Sequence, residues 1–356
     1  MTAPTPSPTA VKPIAITMGD PAGIGPEIIA KAFLQAPQVT RNCFVVGDVA
    51  SLRRANALVA GDGIGLPTVV LGTVDEVLNL PEKCLPVLQM GDLVEPVFYG
   101  KLSAESGRIS AQCVVWAANA ALRGQLAAVV TAPLHKEALF MAGAPHNAFP
   151  GHTEMLQALA AAHAGKTMAQ MPVRMMLAND ELRVVLVSIH VALSEALAAV
   201  TFDTVLQTLQ IAHHSLSAML GRAPRIGVAG LNPHAGEGGR FGREEIEVIA
   251  PAIAAARTQG INASGPFAPD TVFMRARHTP AKPGEFDVVV AMYHDQGLIP
   301  VKYLGVDNGV NVTLGLPLVR TSPDHGTAFD IAGQGIADPS SLTEAIRMAK
   351  KLAAQN

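Results

Sequence analysis

The sequence predicts an α/β protein, and three observations carry that expectation. Short apolar runs rich in β-branched residues alternate with longer segments of helical periodicity, the pattern of strands joined by helical crossovers. Most helical segments open behind a Gly, Ser, Thr or Asp that can satisfy the free amides of a first turn. The chain has 356 residues, of which 49% are hydrophobic and 15% charged. That is enough apolar material for two cores, and the length favours two domains.

In chain order, strands are expected at residues 14–17, 43–46, 68–71, 128–131, 174–177, 183–188, 225–229, 287–292 and 310–313. Helices are expected at 24–33, 104–122, 153–162, 202–220, 243–258 and 341–354. No internal repeat or coiled-coil heptad interrupts the series. Residues 141–151 (MAGAPHNAFPG) break the pattern near the middle and read as a passage between domains. Residues 278–284, with two prolines, read as a surface loop or a linker. Residues 1–13 contain four prolines and no apolar run of signal-peptide length, so they read as a disordered leader and the protein as cytoplasmic.

Composition excludes several classes of partner. A formal charge of −3, one Trp and three Tyr give neither the basic field nor the stacking surface of a nucleic-acid binder. No stretch reaches the roughly eighteen uninterrupted apolar residues of a membrane span. Cys43, Cys84 and Cys113 are odd in number and widely spaced, which fits neither a disulfide framework nor a cysteine zinc site; they read as small buried apolar residues. A small-molecule partner remains.

Three histidines stand just beyond strand-like runs: His190 after VVLVSI, His234 after IGVAGLNP and His294 after DVVVAMY. Open α/β sheets bind ligands outside the carboxyl ends of their strands, and imidazole is the commonest ligand of divalent transition metals. One such histidine is a packing residue more often than a ligand. Three in the same topological position, beside Asn232, Asp295 and Gln296, argue for a shared metal site.

Two glycine-rich segments leave alternatives open. Residues 19–27 (GDPAGIGPE) follow the first strand and open a helix, but the spacing departs from a dinucleotide fingerprint, which favours a tight structural turn or a substrate loop. Residues 235–242 (AGEGGRFG) are either a ligand-approaching loop or a mobile connector. Lys136, Lys302 and Arg320 follow apolar runs or turns near these motifs and are either solvated surface charges or grips for an anionic substrate.

Taken together, the segments MGDPAGIGPE (18–27), TAPLHK (131–136), GHTE (151–154), GLNPHAGEGG (230–239), AMYHDQG (291–297), GVNVTLGLPLVRTS (309–322) and DHGTAFDIAG (324–333) resemble the signatures of the 4-hydroxythreonine-4-phosphate dehydrogenase family. The resemblance runs in order from about residue 14 to the last helix. It implies a two-domain architecture like that of isocitrate and isopropylmalate dehydrogenases, with the active site in the interdomain cleft. Residues 14–145 and 315–356 would form one α/β domain and 146–314 the second. The resemblance also implies a homodimer whose subunits share each active site, and one divalent ion per site, zinc, magnesium, cobalt or manganese, held by His190, His234 and His294. His152, Thr153, Lys302, Asn311 and Arg320 match substrate-contacting positions. His325, Gly326, Thr327 and Asp330 match the adenosine end of a site for NAD or NADP.

The implied reaction transfers hydride from the C3 alcohol of 4-phosphooxy-L-threonine to the cofactor, giving 2-amino-3-oxo-4-phosphooxybutanoate. That β-keto acid loses carbon dioxide to yield 3-amino-2-oxopropyl phosphate, in the biosynthesis of pyridoxine 5'-phosphate. A metal at the alcohol oxygen would stabilise alkoxide character, with Lys302 or Asp295 as the proton acceptor. Competing readings are a dehydrogenase of 4-phospho-D-threonate, 4-phosphoerythronate or an aromatic cis-dihydrodiol carboxylate on the same scaffold, and a non-catalytic small-molecule-binding protein.

Overall fold

The protein, seen in a computed structural model, is described over residues 11–91, 93, 97–305 and 308–354. Of the expected leader, residues 1–10 lie outside the described residues. Among the described residues twelve strands form one sheet: β1 (Ile14–Thr17), β2 (Cys43–Gly47), β3 (Thr68–Val70), β4 (Leu85–Gln89), β5 (Ala128–Thr131), β6 (Arg174–Ala178), β7 (Arg183–Leu186), β8 (Ile226–Ala229), β9 (Ala263–Phe267), β10 (Val288–Ala291), β11 (Val310–Leu314) and β12 (Arg320–Pro323). Their spatial order is β3-β4-β2-β1-β5-β12-β11-β6-β7-β10-β8-β9.

Two parallel blocks make up this order. The strands from β3 to β12 run one way, and β7, β10, β8 and β9 are mutually parallel. Between them β11 is antiparallel to both β12 and β6, and β6 is antiparallel to β7. The second block therefore runs opposite to the first. The central strands are continuous apolar runs because both faces are covered, as β1, β5, β8 and β10 show by being buried throughout.

The helices are α1 (Gly25–Gln35), α2 (Pro37–Thr40), α3 (Val49–Ala60), α4 (Ala104–Leu122), α5 (Lys136–Met141), α6 (His152–His163), α7 (Leu193–Ala199), α8 (Phe202–Leu220), α9 (Ala250–Thr258), α10 (Val272–Ala276), α11 (His294–Tyr303) and α12 (Ser340–Ala353). Local chemistry starts and stops them. The Asp48 carboxylate accepts from Ser51 N at 2.7 Å to cap α3, and Ser103 Oγ accepts from Ser106 N at 3.0 Å to cap α4. Thr201 caps α8, which ends on Gly221 at φ 65°, a left-handed position that glycine adopts without strain. In α12, Leu342, Ala345, Ile346, Ala349 and Leu352 form one buried stripe, so that this last helix covers the first block.

Two expectations change in detail. The helix expected at 243–258 is α9 preceded by a π-helical turn at Glu245–Ile249. Glu245 explains the distortion: it is buried, and its carboxylate accepts from the amides of Leu231 and Asn232, both at 2.7 Å, tying the turn to the loop after β8. The stretch 141–151 is not wholly irregular, since it holds a 3-10 turn at His146–Ala148 before α6 begins. Cys43, Cys84 and Cys113 are all buried and free. No helix among the described residues is long and apolar enough to cross a membrane.

Candidate active site

His190, His234 and His294 follow β7, β8 and β10, and β10 is hydrogen-bonded to both of the others in parallel. The three imidazoles thus leave one edge of three adjacent strands. His190 and His294 are brought together, ring centroids 5.5 Å apart. His294 opens α11, and its Nδ1 lies 2.7 Å from Asp295 Oδ1, which orients the ring and leaves Nε2 free. Burial, reinforced by the positive charges of Lys136 and His294, holds His190 below the ordinary imidazole range.

The backbone at two of these histidines is unusual. His190 has φ 49° and His234 φ 52°, the latter within a left-handed run through Gly238. Non-glycine residues held there cost energy, and such strain collects where a side chain must be aimed. His234 does not join the other pair: its ring lies 6.4 Å from that of Phe241, and among the described residues no group of three or more His, Cys, Asp or Glu is assembled for a metal.

A second cluster surrounds Arg320. Its side chain is buried, donating from Nη2 and Nε to Thr131 Oγ1 at 2.7 and 3.2 Å and from Nη1 to Thr313 Oγ1 at 3.0 Å. No carboxylate pairs with it within 4.0 Å among the described residues. Burial pulls it down to about 10, with Glu154 opposing. His152, in the first turn of α6, is driven well below its usual range by burial and by Arg320. Its Nε2 is closed off from solvent without a partner. A guanidinium with no paired carboxylate beside an uncharged imidazole has the chemistry to receive an anion.

Thr153 stands next to His152 in α6 and Asn311 lies in β11, both half-buried. Lys302 is on α11, about 12 Å along the helix axis from His294 at 1.5 Å per residue. Its Nζ lies 2.7 Å from Asp324 Oδ2, an ion pair rather than an aligned hydrogen bond. Glu154 and Asp324 went unnoticed in the sequence. Glu154 had a signal, an acidic residue in a first helical turn, whereas the role of Asp324 depends on a contact across the fold.

The segment with His325, Gly326, Thr327 and Asp330 follows β12. Thr327 is buried and its carbonyl accepts from Ile24 N at 3.0 Å, while Asp330 and Gly326 are exposed. His325 Nδ1 lies 3.1 Å from the Gly326 carbonyl, and its Nε2 is closed off with no partner. The segment at 19–27 is a tight structural turn. A Cβ on Gly19 would sit 2.3 Å from the Pro133 carbonyl oxygen, and one on Gly25 2.4 Å from that of Met18, so neither position admits a side chain.

Imidazoles beyond the ends of adjacent strands, with a buried guanidinium in β12 and orphaned polar atoms, make this an α/β protein with the groups to bind a small anionic ligand. The family model described as "Pyridoxal phosphate biosynthetic protein PdxA" matches residues 39–349. The chain is 51% identical over 340 residues to a 4-hydroxythreonine-4-phosphate dehydrogenase of Beijerinckia indica, covering 96% of this chain and 95% of that one. It is 42% identical over 353 residues to a D-threonate 4-phosphate dehydrogenase of Salmonella typhimurium, covering 96% and 99%. A crystal structure of 4-hydroxythreonine-4-phosphate dehydrogenase from Klebsiella pneumoniae superimposes with a TM-score of 0.83 at 40% identity, over 96% of this chain and all of that one. The chain belongs to the PdxA family.

Proposed function

We propose that this protein oxidises the C3 alcohol of 4-phosphooxy-L-threonine with NAD or NADP, giving 2-amino-3-oxo-4-phosphooxybutanoate, which decarboxylates to 3-amino-2-oxopropyl phosphate for pyridoxine 5'-phosphate. The observation that carries this reading is Arg320, a buried guanidinium with hydroxyl neighbours and no carboxylate, in a chain 51% identical to a dehydrogenase of that name. An anionic substrate would be its missing counterion, with His152, Thr153, Asn311 and Lys302 orienting the remaining polar groups.

His190, His234 and His294 would hold one divalent ion, zinc, magnesium, cobalt or manganese. The chemistry of the donors suits it: His294 is already oriented through Nδ1 and His190 is biased towards its neutral, ligating form, while His234, which does not join that pair within one chain, would complete the set across the subunit boundary. Such an ion, when bound, supplies electrophilic assistance at the alcohol oxygen. Asp295 then acts through His294, which leaves Lys302 as the acceptor of the alcohol proton, a step that requires it as the neutral amine, and Asp324 as the group that aims it. His325, Gly326, Thr327 and Asp330 would receive the adenosine end of the cofactor.

Each site would be shared between two subunits of a homodimer. Lys302 and His294 sit at opposite ends of one helix, and apolar side chains are exposed along it and after His190: Leu193 at 60%, Ile299 at 64% and Tyr303 at 91%. A partner covering them would bring its own site residues within reach. The order of strands supports two lobes, 14–145 with 315–356 and 146–314, with β11 and β12 on either side of the division. A cytoplasmic location agrees with three buried free thiols, of which Cys43 and Cys113 are pushed up to about 12 by burial and are unreactive.

The second reading is D-threonate 4-phosphate as substrate, which the 42% relative keeps in view. NADH formation by metal-loaded enzyme on both compounds tests the choice. Higher kcat/KM on 4-phosphooxy-L-threonine supports the proposal, and preference for the threonate retains the chemistry but overturns the substrate.

A further inference from the structure

Three loops meet beyond the adjacent strands β1, β5 and β12. Asp20 N donates to the Pro133 carbonyl at 2.9 Å, joining the first two, and Ile24 N donates to the Thr327 carbonyl at 3.0 Å, joining the first and third. The third contact is aromatic: the His135 and Phe329 rings lie 4.7 Å apart at 31°. His135 stands at the entry to α5, Phe329 in the middle of the segment 324–333.

Beneath this stack the polar groups are incompletely satisfied. Asp20 is 1% exposed; its Oδ1 accepts from Ala22 N at 2.8 Å, and its Oδ2 makes no well-formed hydrogen bond among the described residues, although the Ser106 hydroxyl is near enough to favour the carboxylate. His135 Nδ1 is likewise closed off from water and unpartnered. The two side chains are close enough for the imidazole to favour the Asp20 carboxylate. A buried acceptor and a buried potential donor, each lacking a partner at one junction, are complementary.

Nothing in the proposed chemistry uses either residue. We propose that His135, braced from beneath by Asp20, is a positioning residue for the cofactor, setting the segment 324–333 through its stack on Phe329. This rests on the reading of that segment as the dinucleotide-binding loop. The role follows from what Phe329 can do. Its backbone neighbours Thr327 and Asp330 are in the cofactor set, and Gly23 packs against both Thr327 and the Phe329 ring, so the loop is held from one side by the 20–25 turn and from the other by His135. Rigid seating of a loop before binding improves affinity by reducing the ordering cost.

The test measures NAD affinity by titration, and steady-state NADH formation, for full-length wild type, His135→Ala, His135→Phe and Asp20→Asn. His135→Ala should raise both Kd and KM for NAD about fivefold, the scale of one aromatic contact, with kcat at saturating NAD and KM for the phosphorylated substrate within about twofold. His135→Phe, which keeps a stacked face, should recover most of that loss, and Asp20→Asn should shift KM for NAD in the same direction as His135→Ala. Unchanged NAD affinity in His135→Ala overturns this inference alone, as does a parallel change in kcat and both KM values, the mark of a merely structural role. Wild-type enzyme that binds no NAD overturns the cofactor-loop reading as well.

Discussion

Lys302 Nζ lies 2.7 Å from Asp324 Oδ2, joining the last turn of α11 to the start of the segment after β12. Asp324 is 10% exposed and Lys302 40%, so the carboxylate is the fixed member and the lysine side chain the one being aimed. Removing the charge while keeping the shape isolates that effect. Asp324→Asn is expected to lower kcat/KM on the phosphorylated substrate about tenfold with little change in the thermal midpoint, and Lys302→Met to cost on the order of a hundredfold or more, as for loss of a proton acceptor. Steady-state rates with Asp324→Asn indistinguishable from wild type would dissociate Lys302 from its partner.

The contact of Asp295 with His294 Nδ1 predicts a graded response to metal. A carboxylate behind a ligating imidazole contributes roughly 10- to 100-fold in metal affinity. Asp295→Asn should therefore weaken binding by that order in competition with a chromogenic chelator, while His294→Ala should abolish stoichiometric binding. Dialysis of the wild type against chelator should remove activity, and a divalent ion should restore it. If Asp295→Asn removes turnover and leaves metal affinity intact, Asp295 belongs with the proton-transfer groups instead.

Burial pushes Asp20 up to about 6 from an ordinary 3.8. Between these values the folded chain binds the proton more readily than the unfolded one, so stability falls as pH rises through that window. Above about 6 the folded state carries a buried charge, and the penalty is full. Asp20→Asn keeps an acceptor for the Ala22 amide and never ionises. Its thermal midpoint should exceed that of the wild type at pH 8, with the difference closing towards pH 4. A variant less stable than wild type at both pH values would show that the carboxylate contributes more than its burial costs.

Much of the fold was legible because buried strands of the parallel blocks are continuous β-branched runs. β1 and β5 fall on the expected residues, and α4 and α8 do as well. The strands that escaped notice break that pattern. β4 carries Pro86; β9 is an edge strand containing Gly265 and Pro266, with a shifted register; β12 reads RTSP and is held in place by its neighbours. Helix α11 was hidden by Gly297 and Pro300, and α7 by its position among exposed apolar residues. Helix α3 had a visible signal in Asp48, its cap.

The site divides in the same way. Histidines beyond strand ends can be found by counting, since topology puts them on one edge. What counting misses is the reversal made by β11 and β6, which sets the two parallel blocks in opposite directions. The meeting of the loops that carry Asp20 and His135, or the pairing of Lys302 with Asp324, depends on segments more than a hundred residues apart or on opposite sides of a strand pair. No local pattern encodes those contacts.

Arg320 offers the sharpest test of anion recognition. Its planar fork serves Thr131 and Thr313 at once, a geometry that a lysine ammonium on a flexible stem does not reproduce. Arg320→Lys keeps the charge, so any loss reports the fork. The variant should bind the phosphorylated substrate at least tenfold more weakly and unfold at a lower temperature, because buried hydroxyls lose their partners. Inorganic phosphate, which stabilises whatever folded state binds it, should raise the wild-type thermal midpoint and leave that of the variant nearly unmoved. Equal shifts in the two proteins would mean that the anion is gripped elsewhere, with His152 and Lys302 the next residues to replace.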